Sequence, residues 1–124
     1  MVYRLEDLER TEREEVIPTE NFLQLAALNM KKGKTFRPHK HIWKDGPPEV
    51  KAQESWVVIK GEVEVYYYND TGDLLGLHTL YPGDVSITLH GGHNYRAQED
   101  CLVYEYKTGP YRGQELDKRF LDDA

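Results

Sequence analysis

The chain has 124 residues, enough for one domain with a modest core and too few for two. Apolar residues make up 39% and charged residues 31%, so the core is thin and largely β, or further surface is buried against a partner. A net charge of −6 argues against a nucleic-acid backbone or an anionic membrane as partner, and the single cysteine, Cys101, excludes an intramolecular disulfide and any cysteine-based zinc site.

The chain starts Met1-Val2-Tyr3-Arg4-Leu5, without the apolar stretch of a secretory leader. No apolar run approaches the roughly 20 residues that cross a bilayer. The expectation is a cytoplasmic protein.

Residues Arg4 to Glu15 carry nine charges in twelve positions. Leu5 and Leu8 at spacing three allow a short helix there, but the segment can equally run extended, and Pro18 ends whatever forms. The expected organisation is a charged N-terminal arm over 1–20, one β domain over 21–110 and a tail over 111–124.

From Phe22 through Met30 the pattern becomes that of a strand, and Lys31-Lys32-Gly33-Lys34 reads as a turn. Thr35 to Ile42 is the next extended piece. Asp45-Gly46-Pro47-Pro48 makes Trp43 to Lys51 a loop. Ser55 to Ile59 is a strong strand run turned by Gly61, and Glu62 to Tyr68 alternates charged and apolar, the mark of a strand with one wet face.

Asn69-Asp70-Thr71-Gly72-Asp73 is a hairpin turn. Strands follow over 74–80 and over 85–89, where the alternation is clean. Gly91-Gly92 turns again, Cys101 to Lys107 is the last strand, and Leu116 to Leu121 is read as a helical turn. About eight short strands at intervals of about 8–12 residues argue for an antiparallel sandwich or barrel.

Chemistry concentrates in His39-Lys40-His41, Glu54 and His93. Two histidines two apart on a strand look the same way, and a carboxylate from a neighbouring strand makes most of a divalent-metal site. His93 supplies the fourth donor, with His90 as the alternative. Glu54 shares a strand face with Trp56 and Val58, so its carboxylate points into an apolar interior, where a bound cation would satisfy it. A salt bridge to Arg37 or Lys51 is its bland role, and Glu49 is the reserve ligand.

Three imidazoles and one carboxylate suit Fe, Mn, Ni, Co or Zn without choosing among them, and an octahedral ion would keep about two open positions. His78 has no partner in the pattern and is read as a surface residue.

These residues resemble the cupin superfamily. Gly33, His39, His41, Glu54 and Gly61 match the first cupin motif at every spacing except the gap from His41 to Glu54, which a Pro-rich loop lengthens to twelve residues. The second motif is weaker: Gly83 is followed five residues later by Leu89 instead of Pro, His93 stands one position early, and Ala97 replaces the closing Asn. The resemblance covers about residues 22–108. It implies an all-β, cupin-type jelly-roll antiparallel barrel holding one divalent metal on His39, His41, Glu54 and His93.

Fold does not name a reaction. The leading expectation is a metal-dependent enzyme that isomerises or epimerises a sugar or sugar acid, with Glu54 and Lys107 moving the proton and Arg37 holding a substrate carboxylate or phosphate. Arg37 in a plain ion pair is the bland reading. Glu105 and Lys107 share a strand face, as a pair behind the site or as an exposed cross-strand pair. The alternatives are an Fe(II)-dependent oxygenase and a non-catalytic binding or sensor domain. Tyr66, Tyr68 and Tyr81 form an outward row that leads us to expect a homodimer.

Overall fold

The strand runs of the sequence pair into two five-stranded antiparallel sheets. The computed structural model describes residues 1–36, 39–41, 43–44, 50–51, 53–110 and 118–120, with side chains for 1–36 and 53–110. The first sheet runs β1 (Arg13–Glu15), β2 (Leu23–Met30), β11 (Cys101–Thr108), β6 (Glu54–Lys60), β9 (Val85–Thr88) in spatial order. The second runs β12 (Lys118–Phe120), β3 (His39–His41), β10 (Gly92–Ala97), β7 (Val63–Tyr68), β8 (Leu74–Leu80).

Three readings of the sequence need correction. The described strands form two separate sheets and are not closed into one barrel. The loop over 43–51 contains a small ladder, in which β4 (Trp43–Lys44) pairs with β5 (Val50–Lys51). Residues 118–120 are not helical: they form strand β12 against β3, so β11 is not the last strand. The edge of a neighbouring strand offers unpaired N–H and C=O groups that override a weak local helical signal.

The N-terminal charged stretch holds both of the forms open to it. Helix α1 (Leu5–Arg10) begins where the Arg4 backbone N–H donates to the Asp7 carboxylate at 2.9 Å. Strand β1 then pairs with β2, with Glu14 opposite Ala27. Leu8 is the helix's buried anchor. It packs with Ala27 and Leu102 on the outer face of the first sheet, beside Tyr3, Val16, Ile59 and Tyr104. Burying one leucine is worth about 2 kcal/mol, enough to hold so short a helix against fraying.

The main core lies between the sheets. Alternate residues of β2, β6 and β11 (Ala26, Leu28, Met30, Trp56, Val58, Cys101, Val103) meet Val63, Val65, Leu80, Tyr95 and Ala97 from the second sheet. At its centre the Trp56 indole lies flat on the Tyr95 ring, with centroids 3.7 Å apart and planes 3° from parallel. Phe36 meets the same indole edge-on at 5.9 Å. Such ring pairs add about 1 kcal/mol each beyond their area.

Two glycine turns set the strand ends that matter for the site. Gly61 has φ of +87°, and a Cβ there would stand 2.5 Å from the Asp100 carbonyl oxygen. Gly91, with φ of +85°, lies so near the Tyr68 carbonyl oxygen that a Cβ would come to 2.8 Å.

Candidate metal and proton-transfer site

Strands β6, β9, β10 and β11 deliver a set of polar side chains into the otherwise apolar space between the sheets. Period two along β6 sends Glu54, Trp56 and Val58 inward together. In β11, Lys107 is the Cα partner of Glu54, and Glu105 is the partner of Trp56. Glu54 and Glu105 are each only 6% exposed, and His93 is fully buried.

One N–H serves two carboxylates. The Trp56 indole Nε1–H donates to Glu54 Oε1 at 2.8 Å and faces Glu105 Oε2 at 3.1 Å. Two buried carboxylates need cations nearby. Arg13 reaches in from edge strand β1 to place Nη2 3.5 Å from Glu105 Oε1, and Lys107 Nζ lies 4.0 Å from the same oxygen. Burial, and then the Glu54 charge, push the Glu105 carboxyl up to about 7, against the pull of Arg13 and Lys107. Glu105 therefore exchanges a proton near neutral pH.

His93 faces the other oxygen-rich side of this group. Its Nδ1 lies 2.7 Å from Thr88 Oγ1, and its Nε2 lies 3.4 Å from Glu54 Oε1. Either tautomer fits the Thr88 bond: with the ring proton on Nε2 the imidazole faces Glu54 as a donor, and with it on Nδ1 the Nε2 lone pair is available to an ion held between them. Tyr95 flanks the imidazole at 5.1 Å, its hydroxyl 2.7 Å from Ser86 Oγ. Burial first, and then the Glu54 charge, hold the Tyr95 phenol well above its usual range, so it stays neutral.

The backbone places the histidine pair of β3 beside this group. His39 is the Cα partner of His93, and position 41 follows two residues along the same strand. The side chains of His39 and His41, and the whole of Arg37 and Glu49, lie outside the described residues. Among the described residues no three His, Cys, Asp or Glu side chains form a metal cluster.

The described pair nonetheless fits a divalent ion. Donor atoms each about 2.1 Å from an ion stand about 3.0–3.4 Å apart, depending on whether their angle is octahedral or tetrahedral. The observed Glu54–His93 separation of 3.4 Å falls at the upper end of that range. Trp56 and Thr88 fix the two groups from behind, in the manner of partners that orient metal ligands.

His90, the other donor considered, is exposed, and so is His78. Glu105 is buried and Lys107 half-buried, 4.0 Å apart, so they are not an exposed pair. Sequence reasoning missed Arg13, Thr88 and Ser86. Nothing local distinguishes Arg13 from the other charges of its stretch. Thr88 and Ser86 carried a signal only as the polar half of an alternating strand.

No family profile matches this sequence. No curated protein matches it either. Solved structures do match. KdgF from Halomonas sp. is 25% identical over 81% of this chain and 80% of its own, with a TM-score of 0.60. A double-stranded β-helix protein from Klebsiella pneumoniae is 17% identical, covering 96% of this chain and 89% of its own, with a TM-score of 0.66. The capsular polysaccharide assembling protein CapF from Staphylococcus aureus is 18% identical with a TM-score of 0.70; this chain spans 88% of itself and 31% of CapF.

By fold, then, the chain is a small antiparallel β-sandwich of the jelly-roll kind. Solved cupin and double-stranded β-helix proteins share this fold. No described helix is long and apolar enough to cross a membrane.

Proposed function

We propose that this chain is a metal-dependent cupin enzyme that isomerises or epimerises a small polar metabolite, a sugar or sugar acid. The observation that carries the reading is the buried meeting of Glu54 Oε1 and His93 Nε2 at 3.4 Å, with position 39 opposite position 93 in the ladder. His39, His41, Glu54 and His93 would hold one divalent ion (Fe, Mn, Ni, Co or Zn), and the ion would supply Lewis acidity to a carbonyl or hydroxyl of the substrate.

An isomerisation takes a proton from one carbon and delivers one to its neighbour, and an epimerisation returns one to the opposite face of the same carbon, so either needs a group that gains and loses a proton. Glu105, whose carboxyl burial raises above its usual range, is a candidate for that role, and it is joined through the Trp56 N–H to Glu54. Lys107, with Nζ 4.0 Å from Glu105 Oε1, is the second candidate for moving the proton, and Arg37 is assigned to the substrate's anionic group. The apolar walls of Trp56, Tyr95 and Phe36 restrict water around the proton-carrying groups.

Elemental analysis of the purified, unsupplemented protein tests the ligand set. Stoichiometric metal is expected, and it should vanish in His39→Ala/His41→Ala; full metal content in that variant sinks the assignment. Activity should follow chelation and metal restoration across a panel of aldoses, ketoses and uronates. Oxygen uptake with iron but not zinc, without isomerisation, would replace the isomerase by an oxygenase.

We further propose that the protein works as a homodimer through the outward face that carries Tyr66, Tyr68 and Tyr81, all at least partly exposed. Light scattering on the eluting peak should give twice 14.5 kDa. A mass near 14.5 kDa rejects the dimer.

A further inference from the structure

A cleft of about 680 Å³ opens at the side of the sandwich, away from the Glu54–His93 group. Its floor is apolar: Leu28 and Met30 from β2 and Phe36 beyond the following turn. Among the described residues its rim carries Arg13, Lys31 and Lys34 and one carboxylate, Glu12. On a chain whose overall charge is −6, that local excess of positive charge runs against the average.

The three cations are not equivalent. Arg13 is committed to Glu15 at 2.9 Å and Glu105 at 3.5 Å. Lys31 faces Asp100 at 3.8 Å. Lys34 has no carboxylate partner among the described residues; its Nζ stands 5.3 Å from the centre of the Phe36 ring. Among the described residues the cleft thus presents one ammonium without an ion-pair partner, above an aromatic face and next to a thioether, with the Glu12 carboxylate on the same rim.

The rim that carries Lys34 is built in advance. Within the turn the Lys34 N–H donates to the Lys31 carbonyl at 3.0 Å. The turn is clamped to β10 by Gly33 N–H to the Ala97 carbonyl at 2.8 Å and by Ala97 N–H to the Lys34 carbonyl at 2.9 Å. Across the cleft the Asn29 N–H donates to the Glu12 carbonyl at 2.9 Å, tying the α1–β1 junction to β2. A ligand would therefore lose little to ordering its site.

The geometry points to a second ligand site in this cleft, taking a small amphipathic carboxylate. Its apolar body lies on Leu28, Met30 and Phe36, and its carboxylate meets Lys34. Lys34, without a carboxylate partner among the described residues, matches a single negative charge; a phosphate dianion would be left half compensated in a groove with this much apolar surface. An aromatic body is favoured because Phe36 offers a ring and Met30 a polarisable sulfur. The cleft adjoins the Glu54–Glu105 group through Arg13, which lines it and pairs with Glu105 at 3.5 Å, and through Phe36, which meets Trp56 edge-on; the ligand itself is seated by Lys34.

The test uses the uniformly ¹⁵N-labelled full chain in the presence of a chelator, so that the metal site plays no part. Phenylacetate, phenylacetamide and phenethylamine are titrated in turn, with amide shifts followed by NMR. Phenylacetate should give saturable shifts confined to residues 11–13 and 28–36, and should bind roughly five-fold or more tighter than the neutral amide. Lys34→Gln lies on an exposed turn and should leave the rest of the spectrum in place while bringing the acid down to the amide's affinity. The proposal fails if the shifts centre on Glu54, His93 and Lys107, if acid and amide bind alike, if Lys34→Gln changes nothing, or if no probe saturates.

Discussion

Replacing Glu105 by Gln should change the pH dependence of stability in a calculable way. In the folded protein the Glu105 carboxyl is raised from 4.5 to about 7, first by burial and then by the Glu54 charge. In the unfolded chain it returns to the ordinary glutamate range near 4.5. Between those two values the folded state keeps a proton that the unfolded state has lost, so unfolding becomes easier as pH rises. The contribution is fully present below about pH 4.5 and is gone once the pH has passed through about 7. The difference between the two values corresponds to about 3 kcal/mol.

Glu105→Gln keeps the shape of the side chain and an oxygen for the Trp56 N–H, but it cannot titrate. Urea denaturation followed by tryptophan fluorescence, in chelator, from about pH 4.5 to about pH 8, gives both curves. Subtracting the variant from the wild type removes the groups that do not interact with position 105, and the remainder reports Glu105 together with its coupling to Glu54. The difference in unfolding free energy should fall by about 3 kcal/mol across the window. A flat difference, or one that rises with pH, would refute the account of Glu105 as a buried carboxyl pressed by a second carboxylate.

Thr88→Val removes the hydroxyl that fixes the His93 ring, so metal affinity, read by titration of the chelator-stripped protein, should drop about 10–100-fold with little change of fold. Trp56→Phe takes away the N–H shared by Glu54 and Glu105; thermal unfolding should show a loss of about 2–4 kcal/mol from the missing hydrogen bonds and the space left beside Tyr95. Leu8→Ala should cost about 2–3 kcal/mol and speed hydrogen exchange across α1, because Leu8 anchors that helix to the first sheet. Gly61→Ala forces a Cβ to within 2.5 Å of the Asp100 carbonyl oxygen at a φ of +87°, and a denaturation midpoint corresponding to a loss of about 2 kcal/mol or more is expected.

Much of the strand pattern was readable locally. Period two in Ser55–Ile59 and Glu62–Tyr68 located β6 and β7, and glycines at 61, 72, 83 and 91 all adopt positive φ, as turn positions there require. Glu54 was legible as an inward residue because Trp56 and Val58 share its parity. The spacing of His39 and His41 marked a strand whose first histidine pairs with position 93.

Other features depended on partners far along the chain. Strand β9 alternates cleanly, yet Val85 and Ile87 are 47% and 61% exposed while Ser86 and Thr88 are 2% and 4% exposed. Alternation defines two faces; which of them is dry is settled by the sheet packed opposite, and here the dry face needs hydroxyls for Tyr95 and His93. Arg13 meets Glu105 across 92 positions of sequence, and β12 takes its form from the free edge of β3. Backbone preference and side-chain period act over a few neighbours and can be read in order, whereas burial and charge compensation act between segments that only folding brings together.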